Sequence, residues 1–302
     1  MIKIGIIGLG DIAQKAYLPV ISNKNLEVHL CTRNEETLRQ VGAQYRFKNL
    51  HQNLDSLINS GITGAFVHTV TASHEDIVER LVSNNIHVYI DKPVTYDYAS
   101  TEKLLELAAK KNLILTVGFN RRFAPSYQSA KELTNPNMII MQKNRKSLPG
   151  DVRTFVFDDF IHVIDTLLYL FPYPIQKMLV NGMKKDDKLY HVVLQLLAAD
   201  GATAIGIMNR DSGATEERLE VFTPKGKQVV YNVSEVVMHE DKHEKKLGGS
   251  EWTPTLFKRG FEQIVDDFLQ ALVTGKEPAI KKQDILHTHK VCEEVVAELS
   301  RL

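Results

Sequence analysis

The sequence predicts an α/β chain in two parts: an N-terminal doubly wound parallel sheet, then an α+β domain with a largely antiparallel open sheet. Three observations carry this expectation. The chain begins with a β-branched run that ends in a glycine turn. Strands and helices then alternate as far as Phe119. Beyond it, extended segments follow one another through short turns.

Ile2, Ile4, Ile6 and Ile7 make a short apolar run closed by Gly8, the pattern of a strand buried on both faces. Gly8-Leu9-Gly10-Asp11-Ile12-Ala13 is a G-x-G-x-x-A turn. Gly8 permits the tight exit from the strand. Gly10 has no Cβ, so a pyrophosphate can approach the backbone, and Ala13 is small enough for the next helix to lie close on the strand. That helix, expected at 12–22, aims its first N–H groups at the phosphates. Gly8, Gly10, Asp11, Ile12 and Ala13 are therefore the candidate cofactor cradle. An ordinary glycine-rich β–α turn is the plain alternative; the position after a strand and before a helix is the context the motif requires.

The second strand is expected at 26–31. In a dinucleotide fold its end faces the adenosine ribose, where an Asp or Glu would bond the 2′-hydroxyl and favour NAD. Here Cys31-Thr32-Arg33-Asn34 offers no carboxylate until Glu35. Thr32 and Arg33 suit a 2′-phosphate, which predicts NADP, with NAD possible. The alternative is an arginine solvated on a turn.

Further helices are expected at 35–45, 73–84 and 101–111, a short amphipathic turn at 54–59, and strands at 64–69, 87–90 and 113–118. This alternation gives βαβ units and a parallel sheet. After Phe119, strands are expected at 138–143, 176–184, 189–198, 203–210, 218–223 and 228–233, with turns at Ala199-Asp200-Gly201 and Pro224-Lys225-Gly226. Helices are expected at 158–170, 255–274 and 284–299. The predicted division is 1–120 for the dinucleotide-binding domain and 121–302 for the second, with helix 284–299 returning to pack on the first. Leu247-Gly248-Gly249-Ser250 reads as a mobile loop. Segment 189–198 is apolar at both parities (Val192, Val193, Leu194, Leu196, Leu197), which predicts that both sheet faces are covered, one of them by another copy of the chain.

Composition narrows the function classes. The 302 residues carry 37 Lys+Arg and 37 Asp+Glu, so there is no electrostatic footprint for nucleic acid or an anionic membrane. Two cysteines cannot form a disulfide framework and suit a reducing compartment. No apolar run approaches the roughly 20 residues that span a bilayer. The expectation is a cytoplasmic protein with a small-molecule partner.

Two groups of residues carry candidate chemistry. Asp91-Lys92-Pro93 follows the strand at 87–90, at the carboxyl end where doubly wound sheets bind ligands. Pro93 restrains its neighbour and is a candidate for a cis bond. Lys92 is then a cation fixed beside the nicotinamide, or else a surface lysine. In the second domain, Asp158 and His162 are spaced i, i+4, and Asp165 continues the stripe. A carboxylate beside an imidazole orients it and supports its protonated form, as a general base requires. The alternative is that Asp158 or Asp159 is a helix N-cap and His162 an interior histidine. The run His239-Glu240-Asp241-Lys242-His243-Glu244 reads as a solvated loop rather than a metal cluster, and His287 and His289, i and i+2 on a helix, point apart; no metal site is predicted.

Together these motifs resemble the Gfo/Idh/MocA oxidoreductases, the glucose–fructose oxidoreductase and inositol dehydrogenase family. The resemblance runs the length of the chain: Thr69-Val70-Thr71-Ala72-Ser73-His74 is similar to the family's T-P-N-x-x-H, Asp91-Lys92-Pro93 to its E-K-P, Gly118-Phe119-Asn120-Arg121-Arg122-Phe123 to the segment entering the second domain, and Arg259-Gly260-Phe261 to an element of the late helix. It implies a Rossmann domain, an open-sheet domain, an active site in the cleft between them, and assembly as a homodimer or homotetramer through the open sheet. It implies oxidation or reduction of a sugar, polyol or related carbonyl with NAD(P). Carried over, Lys92, Asp158 and His162 are the catalytic set. His162 takes the hydroxyl proton while hydride moves to nicotinamide C4, Lys92 polarises the substrate oxygen and relays the proton, and Asp158 binds substrate or orients His162. Thr69, His74, Asp91 and Lys92 join the cofactor contacts. Asn120 and Arg122 join Asp158 and His162 at the substrate.

Three departures stand out. Phe160 occupies a position where the family commonly has Gly, the stretch Thr154-Phe155-Val156-Phe157 is bulky, and Thr71 replaces the usual Asn. A Phe at the cleft narrows the site or adds an apolar wall. That keeps open the same fold reducing a non-sugar such as a dihydrodiol or tetrapyrrole. A non-catalytic NADP-binding regulator is the alternative of a different class.

Overall fold

A computed structural model describes residues 1–248 and 250–302; Gly249, inside the loop expected at 247–250, lies outside the described residues. The first sheet contains β1 (Ile2–Ile7), β2 (Leu26–Cys31), β3 (Asn49–His51), β4 (Gly64–Val67), β5 (His87–Ile90) and β6 (Leu115–Val117). Its order is β3-β2-β1-β4-β5-β6, parallel throughout. Strand β1 pairs with β2 on one side and β4 on the other, so the order reverses there, the switch point outside whose carboxyl ends doubly wound sheets bind ligands. The short polar β3 went unread in the sequence because it has no apolar alternation.

The second sheet contains β7 (Met138–Asn144), β8 (Lys177–Lys185), β9 (Lys188–Leu197), β10 (Thr203–Asn209), β11 (Glu216–Thr223), β12 (Gly226–Tyr231), β13 (Glu235–Glu240) and β14 (His243–Leu247). Its order is β14-β13-β12-β11-β7-β10-β9-β8. Only β7 and β10 run parallel; every other pair is antiparallel. The expected solvated loop at 239–244 is instead the β13–β14 hairpin, with His239 opposite Glu244 and a turn at Asp241. Its charges misled because β14 is an edge strand, exposed along its length, and edges are kept charged against further pairing.

The chain forms two compact units: Met1–Gly118 with Phe261–His287, and Phe119–Gly260 with Thr288–Leu302. This differs from the expected division at 120. The expected helix 255–274 breaks at Gly260, whose φ is +80° and whose added Cβ would meet the Asn120 carbonyl oxygen at 2.2 Å. After the break, helix Phe261–Thr274 belongs to the first unit, where Phe268 meets Phe66 edge-on at 5.1 Å and Asp266 pairs with Lys24 at 2.6 Å. The closing helix Lys282–Ser300 also departs from expectation. Only its start belongs to the first unit. In the second, Thr288 Oγ1 donates to Asp165, Arg153 pairs with Glu293 at 2.6 Å, and Leu299 lies against Gly182. Among the described residues, no helix is long and apolar enough to cross a membrane.

Candidate functional site

The glycine turn is built as its sequence requires. Gly8 has φ +85°, and a Cβ there would lie 2.8 Å from the backbone of His68 and Thr69. At Gly10 a Cβ would meet nothing within 4 Å, so the space above the turn is open. Ala13 is fully buried against the sheet. The Gln14 side chain donates to the Leu9 carbonyl at 2.7 Å and braces the turn, while Asp11 turns outward to Lys15 at 2.7 Å and Ile12 is exposed. Open space over Gly10 at the end of β1 fits a dinucleotide's pyrophosphate, and Gly8, Gly10 and the backbone of Asp11, Ile12 and Ala13 would hold it. At the end of β2, Thr32 N–H donates to the His51 carbonyl at 3.2 Å. Asn34 caps helix Glu35–Tyr45 through the Thr37 N–H, which leaves Arg33 exposed on the turn between them.

Thr69, His74 and Asp91 shape the next two loops. His74 is 1% exposed, with Nδ1 facing the carbonyls of Pro93 and Val94 at 3.0 and 3.2 Å and Nε2 facing that of Thr69 at 3.1 Å. Burial lowers its pKa against the pull of these carbonyls. His74 thus ties the loop after β4 to the loop after β5. Thr69 accepts from Ser73 Oγ at 2.9 Å, and Asp91 accepts from the Lys92 N–H at 2.9 Å. The Lys92–Pro93 bond is cis, and the Lys92 side chain is half-buried. Sequence reading passed over His68. It stacks on Tyr17 at 4.0 Å with both ring nitrogens buried and without a hydrogen-bond partner among the described residues, and burial brings its pKa down to about 3.

The helical region 152–170 carries the second group. Its N-cap is Asp151, which accepts from the Thr154 N–H at 2.9 Å. Asp158 and Asp159 sit inside a π turn, Val156–Phe160, so neither is a cap. Asp158 and His162 are both half-buried. Asp159 is buried and receives Lys143, Arg145 (3.2 Å) and Arg210 (3.3 Å). Burial works to raise its pKa, but these cations hold it well below the carboxylate range. Asp165 accepts a forked bond from Arg122, at 3.0 Å from Nε and 2.8 Å from Nη2. Asn120 Nδ2 donates to the Arg259 carbonyl at 2.8 Å. Through these bonds Asn120 and Arg122 brace their own unit. Phe160 is fully buried and its ring lies beneath Gly206 of β10, so it belongs to the core and walls no cleft.

Beside Asp159 lies a charged cluster that the motifs did not reveal. Arg121 forks onto Glu217 at 2.7 and 2.6 Å, and the Tyr127 hydroxyl donates to the same carboxylate at 2.7 Å. Burial acts to raise Glu217, yet Arg121 and Lys143 hold it down at about 2. Burial, and then the charge of Arg121, bring the Lys143 ammonium down to about 7 against the pull of Asp159 and Glu217. A signal was available: Lys143 shares parity with Ile139 and Met141, and Glu217 with Leu219 and Val221, so both charges stand on the core face of their strands.

Comparison with known proteins agrees with this architecture. Residues 2–119 match the description "Oxidoreductase family, NAD-binding Rossmann fold", and residues 125–244 match "YceM-like, C-terminal domain". The chain is 32% identical to a Salmonella typhimurium protein named as the oxidoreductase YceM, over 97% of this chain and 96% of that one. It is 24% identical to a myo-inositol 2-dehydrogenase of Thermotoga maritima, over 93% and 91%. Among solved structures, a Gfo/Idh/MocA family oxidoreductase from Vibrio cholerae superposes with TM-score 0.92 at 30% identity, covering 100% of this chain and 99% of that one. A dehydrogenase from Clostridium difficile superposes with TM-score 0.93 at 30% identity, covering 98% and 99%.

Proposed function

The chain belongs to the Gfo/Idh/MocA oxidoreductase family, and from that premise we propose that it is an NADP-preferring enzyme acting on a small sugar- or polyol-like hydroxy or carbonyl compound, assembled as a homodimer or homotetramer. One observation carries the catalytic assignment. Lys92, Asp158 and His162 each keep a half-buried side chain. Their motif neighbours His74, Asp159 and Asp165 are instead buried. The inositol dehydrogenase among the relatives supports the polyol class. Phe160, one of the departures that kept a non-sugar substrate open, is fully buried in the core.

When bound, the nicotinamide supplies or accepts a hydride. His162 takes the substrate hydroxyl proton at a ring nitrogen, or returns it in the reverse direction. Lys92 polarises the substrate oxygen with its ammonium. Asp158 orients the imidazole or holds a substrate hydroxyl. NADP preference rests on Thr32 and Arg33, with no carboxylate before Glu35. The test begins with a panel of sugars, polyols and their acids, read by NADPH fluorescence. On the substrate found, Lys92→Ala and His162→Ala should each lower turnover by about a hundredfold or more, the scale of lost general acid–base help, while NADPH affinity persists. Turnover within a few-fold of the parent in either variant would remove that residue from the mechanism.

A further inference from the structure

Within the second unit, a cavity of about 200 Å³ is lined by Arg121, Lys143, Asn144, Arg145, Glu217 and Arg259, among others. Four cations line it, Arg121, Lys143, Arg145 and Arg259, against two carboxylates, Glu216 and Glu217. Asp159 joins them through Lys143 and Arg145, and Arg210 through Asp159. The carboxylates are already engaged. Glu217 holds Arg121, Asp159 holds Lys143, Arg145 and Arg210, and Glu216 accepts from Asn144 Nδ2 at 2.8 Å. Arg259 is half-buried, and among the described residues its guanidinium has no ion-pair partner. Asn144 is 3% exposed, and its Oδ1 has no hydrogen-bond partner among the described residues. Buried positive charge without a counterion is costly, and so is a buried acceptor without a donor.

We propose that this cavity binds an anionic group, a carboxylate or phosphate, that carries a neighbouring hydroxyl. The anion answers Arg259 and the surplus of positive charge, while the hydroxyl donates to Asn144 Oδ1. The volume admits such a group with a few carbons, well beyond a single water. Lys143, on the cavity wall, holds Asp159. That residue directly follows Asp158 and stands three positions before His162 in the same helical region. On the dehydrogenase reading, on which this step rests, the anionic group is the non-reacting end of the substrate, making it a sugar acid or sugar phosphate rather than a neutral polyol. Lys143 is faced by Arg121 and Arg145 on the cationic side and by Asp159 and Glu217 on the anionic side. An arriving anion adds to the second group, raises the ammonium's proton affinity and draws in a proton near neutral pH.

The test is calorimetric titration of the full chain, saturated with NADPH so that the dinucleotide site is filled. The probes are inorganic phosphate, D-gluconate and the neutral D-glucitol. Phosphate and gluconate should bind, and their relative affinity tells which anion the cavity prefers; glucitol should bind at least about tenfold more weakly. Arg259→Leu should weaken both anions by about tenfold or more, the value of a charge-assisted contact, and leave NADPH affinity intact. Arg145→Ala serves as a second variant, and both are checked for native circular dichroism. Titration of the anions near pH 7.5 in two buffers of different ionisation enthalpy should show net proton uptake. Glucitol binding as tightly as gluconate, no binding of either anion, or unchanged anion affinity in both variants would overturn the proposal. The two readings fail separately. Anion binding without hydride transfer to any anionic sugar derivative leaves the cavity assigned and removes the dehydrogenase reading. Turnover of neutral polyols, undiminished by Arg259→Leu, does the reverse.

Discussion

Lys143 and Glu217 stand opposite each other in register across β7 and β11, both buried. Unfolded, Lys143 keeps its proton up to about pH 10.5; folded, it keeps it only to about 7. Between those values the unfolded chain binds more protons, so this residue makes stability rise with pH across that window, by at most about 1.4 kcal/mol per pH unit. Below pH 7 the ammonium is charged in both states and its burial cost is fully present. Urea unfolding of the parent and of Lys143→Met between pH 7 and 9 should show the rise in the parent and a flatter profile in the variant; parallel profiles would contradict this. Glu217 has the opposite sign: its folded pKa is depressed to about 2, so its contribution is present above about pH 4.5 and lost as pH falls through 2. At the other sheet, Arg33→Ala should weaken NADP binding by about 1.5–3 kcal/mol and leave NAD nearly unchanged in fluorescence titrations, the value of a charge-assisted bond to a 2′-phosphate. Parity alone exposes Lys143 and Glu217 as charges on core faces. It does not reveal that they meet, because strand register is set by distant pairing rather than by local pattern.

The helical region 152–170 shows what a local reading can and cannot place. Phe157-Asp158-Asp159 looks like a helix entry, and Thr154-Phe155-Val156 is β-branched and aromatic, so the sequence suggests a start at 158. The chain enters the helix at Asp151 instead and absorbs the bulky residues as core: Phe155, Val156 and Phe157 are fully buried. The π turn then interrupts the i, i+4 spacing from which the Asp158–His162 stripe was drawn. Asp151→Ala should cost about 1 kcal/mol in urea unfolding, the usual value of a lost N-cap; an unchanged midpoint would show that the helix does not depend on Asp151 for its start. The break between Thr255–Lys258 and Phe261–Thr274 was legible in principle, since a glycine after Lys258-Arg259 is a familiar helix terminator.

At the scale of the whole chain, the alternation of strands and helices up to Phe119 was enough to read the parallel sheet, and hairpin turns beyond it the antiparallel one. The crossing of segments 261–287 into the first unit was not, because nothing local to a helix says which sheet receives its apolar stripe. The second sheet also bears on assembly. One face is buried under helices, with Ala204, Met208, Val192, Leu194, Leu196 and Met141 inward and Val163 and Leu167 against Gly206. The other face carries Ile140, Val193, Leu197, Ile205 and Ile207, all half-buried, with Leu179 and Met183 exposed at 41% and 46%. Arg218, Glu220 and Lys227 form ion pairs beside this apolar field. An apolar centre with a polar border is the composition of a subunit interface. We therefore expect light scattering at low micromolar concentration to give a multiple of 34.2 kDa. Ile205→Lys with Ile207→Lys should release monomers, since two ammonium groups at the centre of the field would have to be desolvated without partners. The substitutions point away from the helix-covered core, so the monomers should remain folded and retain NADPH binding. A parent chain that scatters only as a 34.2 kDa monomer would leave this face as solvent-exposed sheet and refute the assembly.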